Sequence, residues 1–160
     1  MVTKMGTRIE AEKLFSLAIE AGKNGNTEKE KEYYDDLIKK FHPAEDLEIK
    51  ILVVKAMANK GGAFNMALQK EYIALAAAEA EEWDIEDAHF FNNKAIAAAK
   101  GEDVGPQDIK ERKITGDARW DLEAARQGLL ASLLAGSKDY APVESAKAQA
   151  MFDCWLQEQE

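Results

Sequence analysis

The sequence predicts an all-α protein of about seven helices. Three observations carry this. Apolar residues recur at helical spacing along the chain, and helix-capping residues stand ahead of these runs. Only three prolines, Pro43, Pro106 and Pro142, break long stretches of Ala, Glu, Lys and Leu. Alternating β-branched runs are nearly absent. The one exception, "IKILVV" (Ile49 to Val54), has helical continuation on both sides and reads as helix.

The first helix is expected over Ala11 to Asn24, with Leu14, Leu17, Ala18 and Ala21 on one face. Gly25 stops it. Thr27 opens the second helix with Glu30 three residues on, a capping-box pattern. That helix buries Tyr33, Tyr34, Leu37, Ile38 and Phe41 and ends at Pro43. Asp46 caps a third helix, Leu47 to Lys60, which stops at Gly61-Gly62. The fourth runs from Phe64 to Glu82 with Leu68, Tyr72, Leu75 and Ala76 inward. Asp84 caps the fifth, Ile85 to Lys100. A connection of roughly 15 residues follows, long for a compact domain, so it is expected to pack along the helices. The sixth helix covers Asp117 to Ala135 with a stripe of Leu122, Leu129, Leu130, Leu133 and Leu134. Pro142 suits the first turn of the last.

Composition limits the function. The chain has 160 residues, 46% hydrophobic and 32% charged, as a globular protein does. Its 21 basic and 30 acidic residues give a net charge of −9 without basic clusters, which argues against nucleic acid as a partner. No apolar run nears the ~20 residues of a membrane span, and "MVTKMGTRIEAEKLF" has no apolar core of a signal peptide. The single cysteine, Cys154, can make no internal disulfide, and no Cys/His spacing suggests zinc. Residues 1–60 hold 11 basic and 11 acidic side chains, whereas residues 61–160 hold 10 and 19. This marks a soft compositional boundary at Gly61-Gly62, but the first helices are too few to bury their apolar faces alone, so one helical unit over residues 1–160 is expected.

Residues 11–60 contain "AEKLFSLAIEAGKNGNTEKEKEYYDDLIKKFHP", which resembles a tetratricopeptide repeat, a helix–turn–helix of about 34 residues. Leu14 takes the first large position, Leu17-Ala18 stands for the usual Leu-Gly pair, and Gly25 is the turn. Tyr34 is the aromatic and His42-Pro43 the exit. "KAMANKGGAF" resembles the first helix of a second unit, with Gly61 at the small position. Glu30 departs from the pattern, occupying a place usually held by Ala. The resemblance implies antiparallel hairpins packed on the C-terminal helical bundle, and a concave face that binds a protein or peptide. Phe15, Ile19 and Lys23 would line that face; plain helix packing is the competing reading for them.

Residues 64–160 hold "EYIALA", "DIEDAHFFNNKA" and "APVESAKAQAMFDCWLQEQE". They resemble the helical region ahead of the peptidoglycan-binding domain in OmpA-family outer-membrane lipoproteins of Gram-negative bacteria. The resemblance implies a place on the periplasmic side of the cell envelope, a last helix leading into a further domain, and a disulfide partner for Cys154 in that domain. It implies no reaction. A chain complete as given would instead be cytoplasmic.

No Ser-His-Asp set, phosphate loop or nucleophile elbow is present, so no catalytic residue, metal ligand or cofactor is expected. Glu86 and His89 form one Glu-x-x-His pair. Di-iron bundles use two such pairs plus two further glutamates, so half the ligand set is missing. Trp83, Trp120 and Trp155 read as core anchors. Glu79, Glu81 and Glu82 crowd the C-terminus of the fourth helix, where the macrodipole disfavours them, so a solvated face competes with a cation or a partner's basic residue. Three readings stand: a non-catalytic helical interaction module of the envelope, a cytoplasmic tetratricopeptide-type adaptor, and, least supported, a metal-dependent bundle enzyme.

Overall fold

The computed structural model describes residues 4–42 and 44–160, and is all-helical. Pro43, the expected stop of the second helix, lies outside the described residues. Among those described there are eight α-helices: α1 (Lys4–Lys23), α2 (Thr27–Phe41), α3 (Leu47–Ala56), α4 (Ala63–Glu81), α5 (Ile85–Ala99), α6 (Ala118–Leu134), α7 (Ser137–Tyr140) and α8 (Pro142–Glu158). A 3-10 turn, Ile109–Glu111, lies between α5 and α6. Among the described residues no helix is long and apolar enough to cross a membrane.

Several sequence expectations shift in the structure. α1 starts at Lys4, seven residues ahead of Ala11. The cap of α2 is Asn26, not Thr27: the Asn26 side chain accepts the Lys29 N–H at 3.1 Å. Glu30 serves no capping box, since its carboxylate lies where a Cβ on Gly22 would be 2.7 Å away. α3 ends at Ala56, because Met57 turns extended and the chain is then held outside a helix. There the Lys60 N–H donates to the Ala99 carbonyl at 2.8 Å, and the Asn59 amide donates to the Ala98 carbonyl at 3.1 Å. The eighth helix is the single turn α7, too short to leave a periodic signal.

Asp46 caps α3 as expected, accepting from the N–H groups of Glu48 and Ile49. Asp84 accepts the Asp87 N–H at 3.1 Å at the start of α5. Pro142 occupies the first turn of α8.

The chain forms two compact units, one of Met1–Ala58 with Ala76–Asn92, the other of Asn59–Leu75 with Asn93–Glu160. In the first, α1, α2 and α3 pack on one another. Ala11, Leu37, Phe41, Ile49, Val53 and Ala56 form its core, flanked by Leu14, Phe15, Tyr34 and Ile38. In the second, α6 packs on α7, α8 and the 3-10 turn. Its core joins Ile109, Ile114, Leu122, Phe152 and Leu156, with Ala125 and Leu129 against it.

The leucine stripe of α6 divides. Leu122 is fully buried and Leu133 nearly so, but Leu134 is 88% exposed. Leu134 follows Leu133 by one residue, a step of about 100° around the helix, which carries it off the buried face. Leu122→Ala should therefore lower unfolding free energy by about 2–5 kcal/mol through lost burial and a residual cavity, while Leu134→Ala changes it by less than about 0.5 kcal/mol. Urea denaturation midpoints of the two variants measure the contrast.

Candidate functional site

Two arrangements stand out, one in each unit. The second unit contains a sealed polar clamp. Tyr72 on α4 and Gln149 and Asp153 on α8 are all fully buried. Asp153 Oδ2 accepts from the Tyr72 hydroxyl at 2.7 Å and from Lys94 Nζ, and its Oδ1 accepts the Gln107 N–H at 2.8 Å. Gln149 Nε2 donates to the Tyr72 hydroxyl at 3.1 Å and to the Val104 carbonyl at 2.8 Å.

The clamp holds the long connection after α5. Lys94 Nζ donates to the Gly105 carbonyl at 2.9 Å. Arg126 donates to the Pro106 carbonyl at 3.2 Å and to the Gln107 carbonyl at 2.8 Å. Arg112 Nε reaches Gln107 Oε1 at 3.3 Å. The backbones of Val104 to Gln107, mostly buried and without regular structure, thus receive from side chains the partners that a helix would otherwise give. Burial first, and the Asp153 charge second, push the Tyr72 hydroxyl far above the ordinary phenol value, while the Gln149 hydrogen bond acts in the opposite direction. The phenol is thereby kept as a donor, and what these groups do chemically is fix backbone.

The first unit carries an open groove of about 570 Å³. Leu47, Ile51 and Leu52 of α3 and Ala77 and Ala80 of α4 give it an apolar floor. Arg8 and Glu12 of α1, Asp46, Glu48 and Lys55 around α3, and Glu81 of α4 give it a charged rim. Trp83 and Ile85 complete it, both exposed. The rim is braced: Arg8 Nη2 lies 3.0 Å from Asp46 Oδ2 and Nη1 lies 2.8 Å from Glu48 Oε2. Burial alone would raise the Asp46 carboxyl. The Arg8 hydrogen bond and charge and the backbone N–H groups of Ile49 and Glu48 outweigh it and hold the carboxyl below its ordinary value.

Trp83 occupies a backbone position made for glycine. α1, α4 and α5 all end in the same motif, with paired bonds closing back on the last turn. At α1 these are Gly25 N–H to the Gly22 carbonyl and Asn26 N–H to the Ala21 carbonyl. At α5 they are Gly101 N–H to Ala98 and Glu102 N–H to Ala97. At α4 they are Trp83 N–H to Ala80 and Asp84 N–H to Glu79. The left-handed residue is glycine in the first two, at φ +73° and +79°. In the third it is Trp83 at φ +65°. An L side chain there costs roughly 1–2 kcal/mol.

The tryptophans expected as core anchors are not core. Trp83 is 85% exposed, Trp120 75% and Trp155 38%. Trp83 stands past a helix end, and Trp120 sits two residues, about 200°, from buried Leu122. Phe15 is half-buried, its ring centroid 5.8 Å from that of Tyr34. Ile19 and Lys23, on the same side of α1, are exposed. None of these three lines the groove. His89 is half-buried and Glu86 exposed. The carboxylates that do gather are Glu79, Asp84 and Asp87, with oxygens within 4.8 Å of one another. Asp84 is already engaged there as the cap of α5. Glu81 and Glu82 are exposed. The sequence did hold a signal for Trp83: the link Glu82-Trp83-Asp84 between two helices contains no glycine.

Two outcomes follow. Tyr72→Phe leaves Asp153 with Lys94 and Gln107 but one donor short, and should cost about 1–3 kcal/mol near neutral pH. A raised phenol value means this contribution is complete below about pH 10 and is lost above it, so the gap between the variant and the parent narrows in alkali. Denaturant titrations at pH 7 and pH 11 read both effects. Asp46→Asn keeps a capping side chain but removes the charge, and should cost less than about 1 kcal/mol at pH 7, since the pair is partly solvated. A lowered carboxyl value makes the contribution present above about pH 4 and lost as pH falls further, so the two proteins converge in acid. Acid-side stability curves of parent and variant test this.

Comparison with protein-family models, curated proteins and solved structures finds no match to this chain.

Proposed function

We propose that this chain is a non-catalytic helical protein–protein interaction module, and that the groove of the first unit is where it binds. The observation that carries the reading is the combination of an apolar floor with Trp83 and Ile85 left exposed beside it. A cavity of this size, with an apolar floor and charged groups around its rim, is able to serve as a recognition site. An exposed aromatic is the residue type that most often dominates binding energy. The polar clamp of the second unit supports the non-catalytic reading, because Lys94, Asp153 and the Gln149 amide nitrogen are engaged in holding the backbone of the connection. The resemblance of residues 64–160 to the envelope region supports the Gram-negative cell envelope as the setting.

The tetratricopeptide-type adaptor is the second reading. Exposed Ile19 and Lys23 on one side of α1 favour it, with Phe15 beside them. A photo-crosslinking amino acid placed at Ile85, at Ile19, and at exposed Asp35 on α2, in the organism that carries the chain, separates the two. Discrete protein adducts from Ile85 alone are the expected result. Adducts from Ile19 alone would move the binding face to α1. No adduct from either position would end the interaction-module reading.

A further inference from the structure

We infer that Trp83 is the anchor of the groove and that the groove's occupant is a basic amphipathic helix of a partner protein. This rests on the interaction-module reading and adds to it the identity of the anchor and the chemistry of the partner.

The case for the anchor is the contrast among three helix ends. The same capping motif ends α1, α4 and α5, with Gly25, Trp83 and Gly101 at the left-handed position. Glycine meets the backbone demand without strain. A tryptophan meets it with strain, and an indole that is 85% exposed gains little within the chain to offset that. Strain held at an exposed aromatic is what a binding site displays when the missing contacts come from a partner. The short link between α4 and α5, closed by capping bonds, fixes the backbone that carries the indole, so little backbone order is lost on binding.

Charge selects the partner. The groove is lined by four carboxylates, Glu12, Asp46, Glu48 and Glu81, against two cations, Arg8 and Lys55. Arg8 is itself held by Asp46 and Glu48. The lining is therefore acidic, within a chain whose net charge is −9. Lysine or arginine at the edge of an incoming segment would meet Glu12 and Glu81, while its apolar face meets Leu47, Ile51 and Ala80. The walls are helices with no open strand edge, so main-chain pairing to an extended peptide has nothing to act on. A helix laid in the groove by its apolar face remains.

The probe is a synthetic lysine–leucine amphipathic helix of about four turns, with its glutamate–leucine analogue as control. The full chain carrying Trp120→Phe and Trp155→Phe makes tryptophan fluorescence a report on Trp83 alone. The lysine–leucine helix should give a saturable blue shift and the glutamate analogue none. On the parent background, Trp83→Gly should raise the melting temperature and weaken the peptide's affinity, read by calorimetry, roughly tenfold or more. Glu81→Lys should also weaken it, while Asp35→Lys, an equal change of charge away from the groove, should not. A lower melting temperature for Trp83→Gly would make the indole structural and overturn the anchor. Unchanged affinity in Trp83→Gly, or equal losses from Glu81→Lys and Asp35→Lys, would reduce binding to the net charge and overturn the proposal. If the lysine–leucine helix does not bind while Ile85 still gives adducts, the partner chemistry is wrong and the module reading stands. If both fail, both fall.

Discussion

A buried carboxylate governs the second unit. Asp153 is fully buried on α8, and a charge-bearing group there is tolerated only when its lone pairs are met. Its donors come from three other segments: Tyr72 on α4, Lys94 on α5 and the backbone of Gln107 in the connection. They lie 81, 59 and 46 residues away in sequence. Each donor has its own place to keep, and only one register of these segments satisfies all of them together. Apolar contacts such as Leu122 with Phe152 and Leu156 add stability without such directional demand. The polar cluster therefore supplies the specificity that greasy packing lacks.

The connection after α5 shows how far that constraint reaches. Val104, Pro106 and Gln107 are buried although they belong to no helix. Such a segment would be unstable if its carbonyls met only side-chain carbon. Gln149, Lys94 and Arg126 each send a donor to it, and Lys138 pairs with Asp103 at 3.0 Å just before it. The sequence states the length of this segment and its glycine and proline, which say that it is not helix. It does not state which distant side chains will serve it, because hydrogen-bond partners 11 to 46 residues away leave no periodic trace.

Legibility followed the range of the interaction. Caps act within three residues, and Asp46, Asp84 and Pro142 were readable as such. Period-3.6 stripes identified Leu68, Tyr72 and Ala76 on α4, all fully buried. Where two local rules competed, pattern alone misled. Asn26 and Thr27 are both good caps, and the choice fell to Asn26 because the turn at Gly25 delivers the chain there first. Leu133 and Leu134 are equally apolar, and only packing decides which faces inward. The groove was the least legible feature, for its walls come from α1, α3 and the end of α4. Phe15, Ile19 and Lys23 drew notice in the sequence because they share one helix and one repeat pattern, and none of them lines the groove. Trp83 breaks a local rule instead, and such breaks are where a sequence shows that something besides folding shaped it.

The groove's architecture makes that break tolerable. Asp46 has two duties: it caps α3 through the N–H groups of Glu48 and Ile49, and it receives Arg8 from α1. One side chain thus fixes the start of α3 and the approach of α1, and both belong to the rim. Below them Ile49 and Val53 of α3 pack in the same core as Ala11 of α1, so the two walls share a rigid base. At the other side α4 closes with a full set of capping bonds, even with a tryptophan at the left-handed position. Strain of one or two kcal/mol, roughly, is a notable fraction of a small domain's net stability, and it persists only where the surroundings over-determine the backbone. Here they do: the α4 cap is followed after one residue by the Asp84 cap of α5, so the turn has almost no alternative conformation. A preformed groove whose aromatic stands on a fixed stretch of backbone loses little backbone entropy on binding, and its affinity then depends on what fills the floor and which charges meet the rim.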